Sequence, residues 1–248
     1  MSDTIADSED EQSSPEQAIA TASARALVAS GVAYAISCSG GAVKLPSPTG
    51  DGCEVELLWS TRSEAEKWAP ILDKTAKVVP LSTRVLIEEF LPALALERRR
   101  VGIDWTEEPS ETEVEPEVFA GLLHRADLEQ TAATMVRAGA VWVLHEREAE
   151  PLLYHDLASA RPLALLFPSR DLARQTAERL RLTAEPHRHL IGEFLRRVLL
   201  DITAARAEPA FVTPLAVTPH VVKPWTAKGL LAPHQRKFFA DLARLGQH

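Results

Sequence analysis

Cysteine, methionine and tyrosine are nearly missing from this 248-residue chain, which holds two of each. Two cysteines cannot build a disulfide framework or a cysteine-rich metal cluster. Without an export signal, Cys38 and Cys53 read as reduced, partly buried thiols rather than as a bridge across a hairpin. No run of eighteen apolar residues occurs, so no transmembrane helix is expected. The opening MSDTIADSEDEQSSPEQ is acidic and lacks the apolar stretch of a secretory signal. Aromatic residues make up only 6% of the chain and do not interleave with its scattered arginines, so nucleic acid is not an expected partner. The glycine pair Gly40-Gly41 lacks the later glycine, the lysine and the strand-to-helix setting of a phosphate loop.

What is present is enough apolar residue, 46% of the total, to bury a real core in one large or two ordinary domains. Alanine, leucine and arginine are abundant, as in proteins of GC-rich bacteria, and the expected location is the bacterial cytoplasm. Residues 1–14 are charged, serine-rich and without apolar periodicity, which predicts a disordered acidic tail. Charge is unevenly shared: residues 1–125 carry 22 acidic and 11 basic side chains, while residues 126–248 carry 13 and 16.

The second feature present is an internal similarity. LIEEFLPAL at Leu86 to Leu94 and LIGEFLRRV at Leu190 to Val198 agree at most positions, 104 residues apart. Three other blocks agree at 108: Gly31 to Ile36 with Gly139 to Leu144, Leu57-Leu58-Trp59 with Leu165-Leu166-Phe167, and Gly121-Leu122-Leu123 with Gly229-Leu230-Leu231. One four-residue deletion before the LIxEFL segment and one insertion after it reconcile the two offsets. This predicts a duplicated domain, with a first copy over 15–125 and a divergent second over 126–248.

Each copy starts with a helix, about 15–30 or 126–138, followed by a strand of alternating apolar residues, Val32 to Ile36 or Val141 to Leu144. A turn at Gly40-Gly41, or at Glu146 to Glu150, leads into a hairpin and then into a strand at Val55 to Trp59 or Leu163 to Phe167. A helix capped by Ser63 or Asp171 comes next, and after it the LIxEFL helix with an apolar stripe. A strand at Arg100 to Trp105 and a short helix at Pro116 to Leu123 close the first copy. Thr106 to Glu117, with six acidic residues, reads as a solvated loop. The fold class is α+β: two similar domains, each a small, mainly antiparallel sheet packed with helices.

So laid out, the first copy resembles the bacterial DUF2750 family of small proteins. The resemblance rests on Gly31 to Ile36, Leu58-Trp59 with Ala65-Glu66-Lys67-Trp68, Ile87 to Pro92, and Val101-Gly102-Ile103-Asp104-Trp105, within about Val28 to Leu123. The second copy keeps Val141 to Leu144 and Glu193-Phe194-Leu195 but lacks the Gly-Ile-Asp-Trp block and the second tryptophan. These positions specify a fold, and the resemblance implies no catalytic residue.

Eight histidines prompt a search for metal chemistry. His187-x-His189 is the one tight pair, placed by Pro186 at a helix start, and three or four converging ligands are needed for zinc. His145 and His155 read as surface neighbours across a hairpin. Cys38, before Ser39-Gly40-Gly41, has Glu146 at the equivalent position, so a nucleophilic role finds no support in the second copy. Glu89 and Glu193 each precede the phenylalanine of their helix on its polar side, which suits an ion pair better than acid–base work. The expectation is therefore a chain with no catalytic, cofactor or metal site.

Trp105, Trp142 and Trp225 are candidates for interface anchors, and Trp225, following Lys223-Pro224, is the best candidate for an exposed aromatic. The expected function is non-enzymatic protein binding, with Glu107, Glu108, Glu111, Glu113 and Trp225 facing a basic partner. An immunity protein that neutralises a bacterial toxin or effector fits that charge. The alternatives are an enzyme or small-ligand binder using a groove between the copies, and a regulatory adaptor.

Overall fold

A computed structural model describes residues 15–39, 41–48, 51–106, 112–147, 150–155 and 161–215. The acidic tail expected over 1–14, and Glu107, Glu108, Glu111 and Trp225, lie outside the described residues. The chain divides into two compact units, Met1–Leu123 and His124–His248. Each is α+β.

The first unit opens with α1 (Pro15–Ser30), which buries Ala20, Ala24, Leu27 and Val28. The chain leaves α1 through Gly31 at φ 74°, a left-handed conformation that a Cβ would strain. Strands β1 (Val32–Cys38), β2 (Gly41–Ala42), β3 (Lys44–Pro46) and β4 (Glu54–Trp59) follow, then α2 (Arg62–Leu72) and β5 (Lys77–Ser82). A single helical rod continues as α3 (Thr83–Val85), a π-helical turn Leu86–Phe90, and α4 (Leu91–Leu96), before β6 (Arg100–Ile103) and β7 (Glu113–Val114).

The sheet centres on β4, which is antiparallel to β1 and β3 and parallel to β6. Strand β5 covers the outer edge of β1, and β7 covers β6. Five of the six residues of β4, Val55 to Trp59, are buried, as befits a central strand with both faces covered. One face packs Ile36, Val55, Leu57 and Trp59 against Ala65 and Ala69 of α2.

The helix α5 (Pro116–Ala138) runs unbroken for 23 residues. It stands where the sequence pattern predicts two helices, at 116–123 and 126–138. No glycine or proline interrupts the segment between Leu122 and Ala138, so nothing stops the helix. Beyond it the second unit has β8 (Ala140–Arg147), β9 (Glu150–Pro151), β10 (Leu153–Tyr154), β11 (Leu163–Phe167), α6 (Arg170–Leu180) and β12 (Glu185–Leu190). The rod there is α7 (Ile191–Glu193), a π-helical turn Phe194–Val198, and α8 (Leu199–Ala204), leading to β13 (Glu208–Phe211).

The second sheet has β12 and β11 on the two sides of β8, both antiparallel, with β13 parallel to β11. Helix α6 covers one face through Ala173 and Ala177 against Leu165 and Phe167. The rod covers the other, with Phe194, Val198 and Ile202 on Val141, Val143 and Leu166.

Elements of the two units correspond at one constant offset of 108 residues. Val32 pairs with Ser82 and Ala140 with Leu190; Val55 pairs with Arg100 and Leu163 with Glu208. The left-handed residues Gly31 and Gly139, and Arg98 and Arg206, keep the same spacing. So do the π-helical turns, with Leu91 donating to the Leu86 carbonyl and Leu199 to that of Phe194.

This corrects the expected pairing of LIEEFL with LIGEFL. Phe194 occupies the place of Leu86, and Val198 that of Phe90; no deletion or insertion flanks the rod. The false match arises because 104 and 108 differ by four residues, about one helical turn, and an apolar stripe slid by one turn falls on itself. Phe90 is half-buried while Phe194 is fully buried, in keeping with their different places.

The expected caps also move. Thr61 and Ser169 precede α2 and α6, not Ser63 and Asp171, and only Ser169 accepts a bond, from the Leu172 amide. Ser63 and Asp171 lie inside the first turn. Among the described residues no helix is long and apolar enough to cross a membrane.

Candidate functional site

In the first unit the block Val101-Gly102-Ile103-Asp104-Trp105 forms a knot at the end of β6. Asp104 takes a left-handed conformation, φ 49°, which turns its carboxylate back into the unit. There it accepts from the Ser60 amide at 2.6 Å and from the Ser23 hydroxyl of α1. Trp105, 3% exposed, donates its indole N–H to the Thr112 carbonyl, and its own carbonyl accepts from the indole of Trp59 at 3.0 Å. Trp68 packs against both indoles, with ring centroids 6.2 and 6.3 Å away.

Gly102 lies beneath this layer. A Cβ there would come 2.5 Å from Leu57 Cδ2 and 2.8 Å from the Trp105 ring. Trp105 was expected as an interface anchor; its burial makes it part of the core.

The acidic segment is also more structured than a solvated loop. Glu113 sits in β7 with a side chain only 6% exposed, accepts from the Ser47 hydroxyl at 2.7 Å, and lies 3.4 Å from Arg100. Arg100 also meets Asp51 at 2.8 Å and Glu115 at 3.2 Å. Glu113 therefore braces the sheet edge and is not a solvent-facing charge. Arg99 does the same one residue earlier, bridging Glu54 and the buried Glu56, each at 3.3 Å. Burial holds the Glu56 carboxyl above its ordinary range, against the pull of Arg99.

Cys38 and Cys53 are free thiols, both half-buried. The end of β1 at Ser37, Cys38 and Ser39 borders a shallow cavity with Thr75, Lys77 and Val79.

The second unit is different. Strand residues alternate in facing, so Val141, Val143 and His145 of β8 share a face with Glu185, His187 and His189 of β12, to which they are paired. The apolar layer under the rod thus ends in three imidazoles. His145 is 3% exposed. Its ring stacks on His187 at 4.6 Å and on His189 at 5.0 Å, and its Nε2 is 3.0 Å from the Nε2 of His189.

The rod contributes Glu193, Arg197 and Asp201 to the same cavity, of about 270 Å³. Glu193 Oε1 lies 3.8 Å from His189 Nδ1. Burial, followed by the neighbouring imidazoles, pushes His145 down to about 4, and burial also lowers His189. The buried Nδ1 atoms of His145 and His189 make no hydrogen bond.

At the equivalent places, 108 residues earlier, the first unit has Ser37, Val79, Leu81, Val85, Glu89 and Ala93. The titratable cluster belongs to the second unit alone. The sequence reading placed His187 and His189 at a helix start and paired His145 with His155. Instead Pro186 sits in an edge strand, where its missing N–H is tolerated, and His155 is exposed and is not among the residues lining the cavity. The available signal was the spacing of two in His187-x-His189, which puts both rings on one strand face. Among the described residues no group of three or more His, Cys, Asp or Glu is arranged to hold a metal ion.

Comparison with known proteins bears on the first unit. Residues 21–123 match the family model described as "Protein of unknown function (DUF2750)". The match covers less than half of the chain and most of the first unit. Its Gly102, Asp104, Trp105, Trp59 and Trp68 all serve packing. No curated protein matches the chain. A solved structure titled "Anabaena Tic22 (protein transport)" is similar at 12% identity, over 89% of this chain and 96% of that one, with a TM-score of 0.24. A score that low carries no argument about role.

Proposed function

We propose that the chain is a tandem pair of DUF2750-type domains acting as a non-enzymatic protein-binding module in the bacterial cytoplasm. The duplication reading is supported by the constant 108-residue offset of strand registers, left-handed residues and π-helical turns.

The observation that carries the partner's chemistry is charge. Residues 1–125 hold 22 acidic against 11 basic side chains. Arg99 and Arg100 are each shared among three carboxylates, so they offset only part of that negative charge. A basic protein is the complementary partner, and a cationic toxin or effector neutralised by this chain is the case that charge fits best.

Electrostatic steering makes a specific prediction, because exposed charges are screened over about 8 Å at physiological ionic strength. The native partner is isolated by pull-down from the source extract, and its association kinetics are measured at rising salt. Replacing Glu107, Glu108 and Glu111 by Lys slows association with little change in dissociation. Glu113 is left out because it braces β7. An association rate indifferent to both salt and charge reversal refutes a basic partner.

A further inference from the structure

We propose that His145, His187 and His189 form a proton-operated latch that holds the rod of the second unit against its sheet, closed while the imidazoles are neutral and released as they gain protons. It is independent of the partner's identity.

The geometry of the closed state requires neutrality. The 3.0 Å contact between the Nε2 atoms of His145 and His189 is a hydrogen bond only if one nitrogen carries a proton and the other does not. With both rings protonated, two N–H donors point at one another and two positive charges meet at that distance. His187, stacked on His145, adds a third charge.

The surroundings decide whether those charges are tolerated. From the rod, Glu193 and Asp201 are negative and Arg197 is positive. From β12, Arg188 lines the cavity and Glu185 pairs opposite His145; from β8, Arg147 follows two residues later. Among the lining residues two carboxylates, Glu193 and Asp201, and two arginines, Arg188 and Arg197, balance while the rings are neutral; outside the lining, Arg147 of β8 is paired opposite Glu150 of β9. Three added protons leave an uncompensated positive cluster, and its central member, His145, is buried. A buried charge without a partner is strongly disfavoured.

The relief lies in moving the rod. Phe194, Val198 and Ile202 seat it on Val141 and Val143, directly beside the histidines. Glu193 at the rod's start, 3.8 Å from His189, offsets part of the charge on that ring, so the charge that moving the rod relieves is the one on the buried His145. The π-helical turn Phe194–Val198 gives the rod a register that one changed hydrogen bond can alter. The first unit has the same π-helical turn but Ser37, Val79 and Leu81 where the histidines stand. It is the built-in control.

The test is backbone amide hydrogen exchange on the full-length protein, corrected for the intrinsic pH dependence of exchange. Between pH 7.5 and 5, protection over Phe194 to Ala204 falls at least tenfold, while protection over Leu86 to Leu96 is unchanged. In the triple variant His145→Ser, His187→Val, His189→Leu, which restores the residues of the first unit, the fall disappears. Equal loss in both rods, or an unaltered fall in the variant, overturns the latch. Should the variant fail to fold, imidazole NMR of the native protein decides instead. A His145 titration midpoint well below 6, coincident with resonance changes in Phe194 and Val198, supports the latch. Free titration of His145 near 6.5 with no response in the rod overturns it.

Discussion

At the scale of single residues, the block Gly102-Ile103-Asp104-Trp105 shows how each side chain, or its lack, answers a local packing need. Here glycine is needed for clearance, aspartate for a left-handed turn that ties α1 to the sheet, and tryptophan for a buried ring with its N–H bonded. Gly102→Ala is a direct test. Its Cβ would fall 2.8 Å from a Trp105 ring that cannot swing aside without losing its bond to Thr112. Overpacking of this kind costs about 1–3 kcal/mol, read as a lower denaturant midpoint with an altered near-ultraviolet tryptophan signal. A midpoint equal to that of the native chain would show that the indole layer yields freely.

At the scale of elements, the two halves of the chain offer matched comparisons. Helices α2 and α6 stand at the same place in their units, yet only α6 has a side-chain cap, from Ser169 to the Leu172 amide at 3.3 Å. Ser169→Ala should therefore lower stability by about 1 kcal/mol, whereas Thr61→Ala should change it much less. Urea unfolding of the two variants compares them; a larger effect at Thr61 contradicts the assignment. The rods teach a different lesson. Their resemblance in sequence was real, but helical periodicity makes four-residue slips nearly invisible. Strand pairing has no such freedom, because the register Ala33 to Leu81 and Val141 to His189 is fixed by paired amides and carbonyls.

At the scale of the whole molecule, stability should depend on pH through groups of opposite sign. His145 is held near 4 in the fold, below its ordinary value of 6.5. Between those values the unfolded chain carries a proton that the folded chain refuses, so stability is full above 6.5 and is lost as pH falls toward 4. The unfolding constant then rises by up to about tenfold per pH unit for this one group. Burial raises Glu56 and Asp127, which acts the other way: the fold keeps their protons more readily, favouring it on acidification. The histidine part is therefore the difference between the native chain and the triple histidine variant, measured as denaturant midpoints from pH 7.5 to 4.5. The native chain should lose more stability over that range, and parallel profiles would contradict the depressed His145.

Sequence alone determined the α+β class and many of the elements, because apolar periodicity, glycine at helix ends and the 108-residue similarity are local or additive signals. It missed the strands β5, β7 and β12, whose residues carry no apolar alternation and are strands only through their pairing. The strand from Val32 to Ile36, which the structure extends to Cys38, the helix after Trp59 and the α+β class all follow from such patterns. Tertiary structure decided what those signals cannot carry. It merged two expected helices into α5, since no residue stops the chain there. It turned Glu113 and Trp105 inward, since a carboxylate or an indole is free or buried only by virtue of Arg100, Ser47 and Thr112, which are distant along the chain. It also brought His145 against His187 and His189, more than forty residues later, where only the pairing of β8 with β12 makes neighbours of them. Periodicity fixes which face a residue takes; which residues share that face is set by long-range pairing.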